Sequence, residues 1–255
     1  RKMFEYSRKI GINLFSSVFD EDGLSFLIDE QVPLLKIASQ EIVHIPLLEA
    51  TGATKLPIIL STGMSTLEEV GEAVETLRSS GCTKLVLLKC TSQYPASFGA
   101  LNLLGIKTLA REFGFNVGFS DHTTSMLTPA LAVASGAVMI ERHFKLDNDS
   151  QSVDAEFSTP CCCYERINTD MSIAHASLGS GTIHPAPEES SFFSGRRSIY
   201  VSEDVSAGDL LTTQNIRVVR PSFGLHPRYF NEVLGKRFLK NFKAGSRLEE
   251  DSFGD

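Results

Sequence analysis

Two histidines, His122 and His143, carry the strongest chemical signal in this sequence. Each stands just past a short apolar run, Val117–Gly118–Phe119 in one case and Ala137 to Ile140 in the other. A helix-like stretch from Met126 to Ser135 separates the two runs, which is the spacing of consecutive βα units. The 21-residue interval, about one βα repeat, makes the two strands neighbours and lets the imidazoles converge. Ligands of parallel α/β folds bind at the C-terminal ends of strands, where loops vary while strands stay packed. Two imidazoles with a nearby carboxylate suit a divalent transition metal. One such histidine alone is more often a hydrogen-bonded structural residue; the matched pair is what favours the metal.

Other polar residues gather at the same ends. They are Ser16 and Ser17; Lys36, Ser39 and Glu41; Ser61 and Thr62; Thr91, Ser92 and Tyr94; Ser120 and Asp121; Glu141; and, shortly beyond, Asp154. Hydroxyls with an ammonium group suit a phosphorylated anionic substrate, because hydroxyls and backbone amides donate to phosphate oxygens and lysine adds charge. Lys36 interrupts the apolar run Pro33–Ala38 and so points into a barrel mouth, or else reaches solvent from a strand edge. Lys89 has the same setting, and pattern alone does not rank the two. Ser61 and Thr62 also read as the start of the next helix.

The elements that must position these groups alternate in type. A helix over Arg1–Lys9 precedes a strand over Ile10–Val18. Asp20 caps a helix reaching about Glu30. Strands follow at Pro33–Ser39, Leu56–Ser61 and Lys84–Cys90, with helices at Glu41–Ala50, after Ser65, and at Asn102–Phe113. Ser65 with Glu68 fits a capping box, and Gly81 closes that helix. Unbroken β-branched and leucine runs are those of parallel strands covered by helices. Six units are visible where a closed barrel needs eight. The expectation is therefore a TIM (β/α) barrel lacking its first two strands over residues 1–178, with Cys161–Leu178 as its closing helix. Residues 179–196, rich in Gly, Ser and Pro, read as a linker. Residues 197–255 read as a small β-rich domain, with strands near Ser198–Val201 and Ile216–Val219 and a helix near Tyr229–Leu234.

Composition sets limits. Residues are 42% hydrophobic and 22% charged, ordinary for a globular protein. A net charge of −7 argues against nucleic-acid binding. No apolar run approaches the roughly 20 residues that span a bilayer, and no signal peptide is recognised. The cysteine count, five, is odd; Cys161–Cys163 are adjacent and no CxxC exists, so a disulfide framework and a zinc ribbon are both disfavoured. Cys82 and Cys90 read as core thiols, and the compartment as reducing and cytoplasmic.

The segments KIASQE (36–41), PIILSTGMSTLEE (57–69), LLKCTSQYPA (87–96), VGFSDHT (117–123) and IERHF (140–144) resemble the sialic acid synthase family, in the expected order and over nearly the whole chain. The tail, with residues 198–227 and VLGKRF (233–238), is similar to that family's antifreeze-like or SAF domain. Within the family, KCTSQYPA, Val153–Ser158 and Gly224–Pro227 look most like pseudaminic acid synthases.

The resemblance implies condensation of phosphoenolpyruvate with an acetamido sugar. It implies His122 and His143 as ligands of manganese or magnesium, and Ser17, Lys36, Ser39, Ser92 and Ser120 as the phosphoenolpyruvate contacts. Tyr94 lines the pocket, Asp154 holds a metal-bound water and Glu41 faces the sugar. Arg220 closes over the sugar of a partner subunit, which implies a domain-swapped dimer. The family's first two strands, with a glutamate and a second lysine, have no counterpart here. Gln40, Thr124–Ser125, a shortened Ser158–Pro160 and the triple cysteine also depart from its pattern. Neighbouring readings are N-acetylneuraminate or legionaminate synthase. One of another class is an inactive fragment serving as a sugar-binding or oligomerisation module.

Overall fold

The computed structural model describes all 255 residues, which form two compact units, Arg1–Gly181 and Thr182–Asp255. In the first, six parallel strands lie side by side in chain order: β1 (Ser17–Val18), β2 (Leu35–Ile37), β3 (Ile58–Ser61), β4 (Leu85–Cys90), β5 (Asn116–Asp121) and β6 (Ile140–Arg142). The helices between them are α2 (Glu21–Asp29), α3 (Ile45–Ala53), α4 (Leu67–Ser79), α5 (Gly105–Phe113) and α6 (Thr128–Ala134), with α1 (Lys2–Ile10) ahead of the first strand. A two-stranded ladder, β7 (Phe144–Lys145) with β8 (Thr159–Pro160), and helix α7 (Tyr164–Ser177) follow.

Strand register sorts the side chains into two faces, because successive residues point to opposite sides. Val18, Leu35, Ile37, Ile58, Leu60, Leu85, Leu87, Val117 and Phe119 belong to the apolar layer shared with α2–α5, and Leu35, Leu60, Leu87 and Phe119 are fully buried in it. The alternate residues fall in register rows on the other face. Ser17 pairs with Lys36 and Lys36 with Ile59; Ser61 pairs with Leu88; Cys90 pairs with Ser120 and Ser120 with Glu141. That face is concave. Lys36 Nζ on β2 lies 3.8 Å from Glu141 Oε2 on β6. Four strand spacings separate these strands, roughly 19 Å in a flat sheet, so only a strongly curled sheet lets the two side chains meet.

Several boundaries differ from the sequence reading. The strand expected over Ile10–Val18 shrinks to Ser17–Val18, because α1 runs through Ile10 and ends at Gly11, whose φ of 73° makes a left-handed cap. The capping box of α4 uses Thr66 and Glu69, one residue beyond the Ser65 and Glu68 pair expected: Thr66 Oγ1 accepts from Glu69 N and Glu69 Oε2 from Thr66 N. The sixth strand covers Ile140–Arg142, and of the expected run Ala137–Ile140 only Ile140 is in it. Asp20 caps α2 as read, accepting from Gly23 N at 2.6 Å. The closing helix starts at Tyr164, after a 3₁₀ turn over Cys161–Cys163.

The second unit has its own core, centred on Ile199, Val201, Leu211, Ile216, Phe238 and Leu248. Strands β9 (Ser198–Val201) and β10 (Ile216–Val219) pair antiparallel, and β11 (Arg237–Phe238) pairs with β12 (Phe253–Gly254). Between them lies a one-turn helix, α8 (Phe230–Val233), and a 3₁₀ segment over Pro187–Gly195 precedes β9. Arg220 follows β10 and is exposed.

Candidate active site

At the C-terminal ends of β4, β5 and β6 the two expected histidines face each other, with ring centroids 5.4 Å apart and planes at 70°. His122 Nδ1 lies 2.9 Å from the Thr91 carbonyl oxygen. A carbonyl only accepts, so Nδ1 carries the proton and Nε2 keeps its lone pair. Ser120 Oγ lies 3.3 Å from that Nε2 but donates its single proton to Glu141 Oε1 at 2.7 Å. His143 Nδ1 lies 3.3 Å from Asp154 Oδ2, so it is the Nδ1 of this ring that carries a proton toward the carboxylate. Burial pushes the His122 imidazole below its ordinary value, so it stays neutral and able to ligate.

Aromatic rings wall this pair. Tyr94 stacks on His122 at 4.1 Å between centroids and meets His143 edge-on at 5.9 Å. Phe157 sits 5.1 Å from His143 and 5.2 Å from Tyr94. Burial raises the Tyr94 phenol above its usual range. Phe157 falls within the Val153–Ser158 motif, whose pattern does not mark it as a pocket residue.

Lys36 is buried on the concave face and donates to Ser61 Oγ at 2.7 Å and to the Ile37 carbonyl at 3.1 Å. Burial lowers its ammonium pKa, and Glu141 opposes that shift. Lys89 takes the other face of β4: it donates to the Cys90 carbonyl and lines a cleft against α5 with Gly105 and Thr108. Register thus separates two lysines that looked alike in sequence. The same logic brings Ser61 and Glu141, both expected at the strand ends, into the cluster.

The remaining serines meet around Gly63. Its N–H donates to Ser39 Oγ at 3.0 Å, and a Cβ there would stand 2.8 Å from Ser39 Oγ and closer still to Ser92 Oγ. The Ser92 hydroxyl oxygen is buried with no hydrogen-bond partner. Such an orphan in a native fold calls for an explanation, and a ligand is one. Ser17 lies beside Lys36 in the first register row. Glu41 occupies the turn after β2, its Oε2 3.9 Å from His44 Nδ1. Arg220 belongs to the second unit.

The donor set fits a divalent cation. The two rings lie close together with each Nδ1 held by an oxygen, which leaves the Nε2 side of each as the ligating side, and water or substrate oxygens complete such shells. No three His, Cys, Asp or Glu side chains gather at one point.

Similarity to known proteins agrees with this geometry. Residues 1–183 match the model of the NeuB family, and residues 196–253 match that of the SAF domain. The pseudaminic acid synthase of Helicobacter pylori is 38% identical over 253 residues, 98% of this chain and 74% of that one. The N,N'-diacetyllegionaminic acid synthase of Legionella pneumophila is 38% identical over 249 residues, 96% and 70% of the two chains. Among solved structures, the N-acetylneuraminic acid (sialic acid) synthetase of Leptospira borgpetersenii superposes with a TM-score of 0.71 at 35% identity, covering 75% of this chain and 67% of that one. The six-stranded curled sheet is thus a TIM-barrel-like arrangement of the kind these synthases share. With a family model covering most of its length and relatives that are carbon–carbon bond-forming synthases, the chain belongs to the NeuB family and carries a SAF domain after its α/β unit.

Proposed function

We propose that this chain condenses phosphoenolpyruvate with a 2,4-diacetamido-2,4,6-trideoxy-hexose, giving a nine-carbon ulosonic acid and phosphate, the pseudaminic acid synthase reaction. One observation carries the reading. A buried ammonium, buried serine hydroxyls (one unpartnered) and two adjoining imidazoles held through Nδ1 share one concave face.

In this reading Lys36 supplies positive charge to phosphoenolpyruvate, and Ser17, Ser39 and Ser92 donate to its oxygens; Ser120 joins them when its proton turns from Glu141 to the substrate, and Ser61 orients the lysine. His122 and His143 hold manganese or magnesium, which when bound supplies Lewis acidity toward the open-chain aldehyde of the sugar. Anchoring both reactants on one face makes a bimolecular step nearly intramolecular. Carbon 3 of phosphoenolpyruvate bonds to the aldehyde carbon as the aldehyde C=O π pair moves to its oxygen, which takes up a proton, leaving positive character at carbon 2. Water adds there, its proton going to a carboxylate, and phosphate leaves with cleavage of the C–O bond. Asp154 and Glu141 are the carboxylates in contact with the cluster. Tyr94 walls the pocket, and Glu41 faces the sugar. Arg220 serves the sugar site of a second copy in a domain-swapped homodimer, an assignment supported by the family resemblance alone. The cytoplasm is the compartment this reading assigns, supported by the five free thiols.

A legionaminate synthase is the second reading, favoured by a relative of that name at the same 38% identity. An N-acetylneuraminate synthase stands behind it. The test is phosphate release from phosphoenolpyruvate with manganese and, in parallel, the diacetamido-altrose, the diacetamido-mannose and N-acetylmannosamine. Release with the altrose alone, and a product of the mass of pseudaminic acid, is the expected result. Release only with another sugar selects the second reading, and none with any sugar ends both.

A further inference from the structure

The residues just before the two histidines form an ion pair with side chains almost sealed from solvent. Asp121 is 0% exposed and Arg142 is 3% exposed. They are direct register partners on β5 and β6. Both members have further partners. Asp121 Oδ1 accepts from Thr123 N at 2.9 Å and Oδ2 from Thr128 Oγ1 at 2.6 Å. The Arg142 guanidinium donates to Asp121, to Thr159 Oγ1 and, at 2.8 Å, to the Thr123 carbonyl. It thereby ties β5, β6 and β8 together on the helix side of the sheet. Successive side chains alternate in direction. Locking Asp121 to Arg142 on that side therefore sets how His122 and His143 emerge on the other. The lock also reaches the second histidine through the backbone, because Thr159 N donates to the His143 carbonyl at 3.0 Å.

We propose that Asp121 and Arg142 are positioning residues whose ion pair fixes the separation of His122 and His143, and with it the affinity for the divalent cation. The inference rests on the reading of those histidines as cation ligands. Neither residue touches the reacting groups. The requirement is for a planar fork that reaches three acceptors at once, which arginine supplies and lysine does not.

The test uses the full chain and manganese alone, with free Mn²⁺ read by electron paramagnetic resonance. Replacing a buried ion pair with apolar side chains of similar volume often leaves stability intact. The double variant Asp121→Leu/Arg142→Met is therefore expected to keep its far-ultraviolet circular dichroism and a cooperative melt. Its dissociation constant for Mn²⁺ is expected to rise about 10- to 100-fold, the usual cost of losing an outer-shell partner. Arg142→Lys is expected to weaken binding by a smaller factor. A second readout needs no metal. Histidine ¹⁵N spectra of the unaltered chain should show one fixed tautomer per ring, and those of the double variant tautomer averaging. A folded double variant with Mn²⁺ affinity within twofold of the parent and unchanged histidine spectra would overturn the proposal. Should that variant fail to fold, unchanged Mn²⁺ affinity in Arg142→Lys overturns it equally. Absence of Mn²⁺ binding by the unaltered chain is a different result: it ends the cation reading and this inference with it.

Discussion

Lys36 and Glu141 face each other across the sheet at 3.8 Å, although four strand spacings lie between them in the ladder. Each has a tighter hydrogen bond elsewhere, Lys36 to Ser61 and Glu141 from Ser120, both at 2.7 Å. The ammonium is thus held by neutral oxygens and only loosely neutralised, which leaves it charge to spend on an anion. Replacing Lys36 by Met should raise the KM for phosphoenolpyruvate about 30-fold, the equivalent of ~2 kcal/mol for a charge-assisted contact. The melting temperature should fall little, because an apolar side chain of similar length fills the same space. Initial-rate kinetics and a thermal scan check both; a large loss of stability with an unchanged KM would contradict the assignment.

The pH dependence has a definite sign. Burial holds the folded-state pKa of Lys36 below the ordinary 10.5. The protonated form binds the anion, so affinity is present below that lowered pKa and is lost as pH rises through it. KM for phosphoenolpyruvate should therefore climb on the alkaline side at a pH lower than an ordinary lysine allows. Arginine stays charged there, so Lys36→Arg, whatever its KM at neutral pH, should lack the alkaline climb. A KM profile for both proteins decides the point.

Gly63 is the place where Ser39 and Ser92 come together, and a side chain has no room there. Gly63→Ala should push both hydroxyls apart, at a cost of about 1–3 kcal/mol for overpacking. The expected result is at least a tenfold rise in KM for phosphoenolpyruvate with a far-ultraviolet spectrum like the parent's. Retained KM would mean that the serines do not act together.

A control separates stability from the site. Thr66 and Glu69 cap α4 on an exposed surface. Thr66→Ala should cost ~1 kcal/mol of stability and leave KM for both substrates within twofold. Chemical denaturation alongside kinetics measures the two quantities on one preparation.

Much of this was legible in the sequence. The order of strands and helices, the Asp20 cap and the convergence of His122 with His143 follow from local pattern and resemblance. What escaped was set by pairing partners far along the chain. The runs over Lys36 and Lys89 look alike until register assigns one to the concave face and the other to the helices. Arg142 stayed obscure, and Glu141 was placed past the strand rather than in it, because an apolar scan stops at Ile140, whereas β6 is defined by its pairing with Phe119–Asp121 and runs on through the charged residues. The cap at Ser65 was a near miss: two S/T-x-x-E patterns overlap there, and only the backbone decides which begins the helix.

The two-sidedness of β2 makes the concave bowl sensitive to parity rather than to side-chain identity alone. Deleting Leu35 would deliver the Lys36 ammonium to the oily layer and swing Ile37 into the bowl. Such a deletion removes no reactive group, yet it would take charge from the anion and hide it where nothing neutralises it. Changes in chain length within these short strands should therefore be less tolerated than substitutions at the same positions.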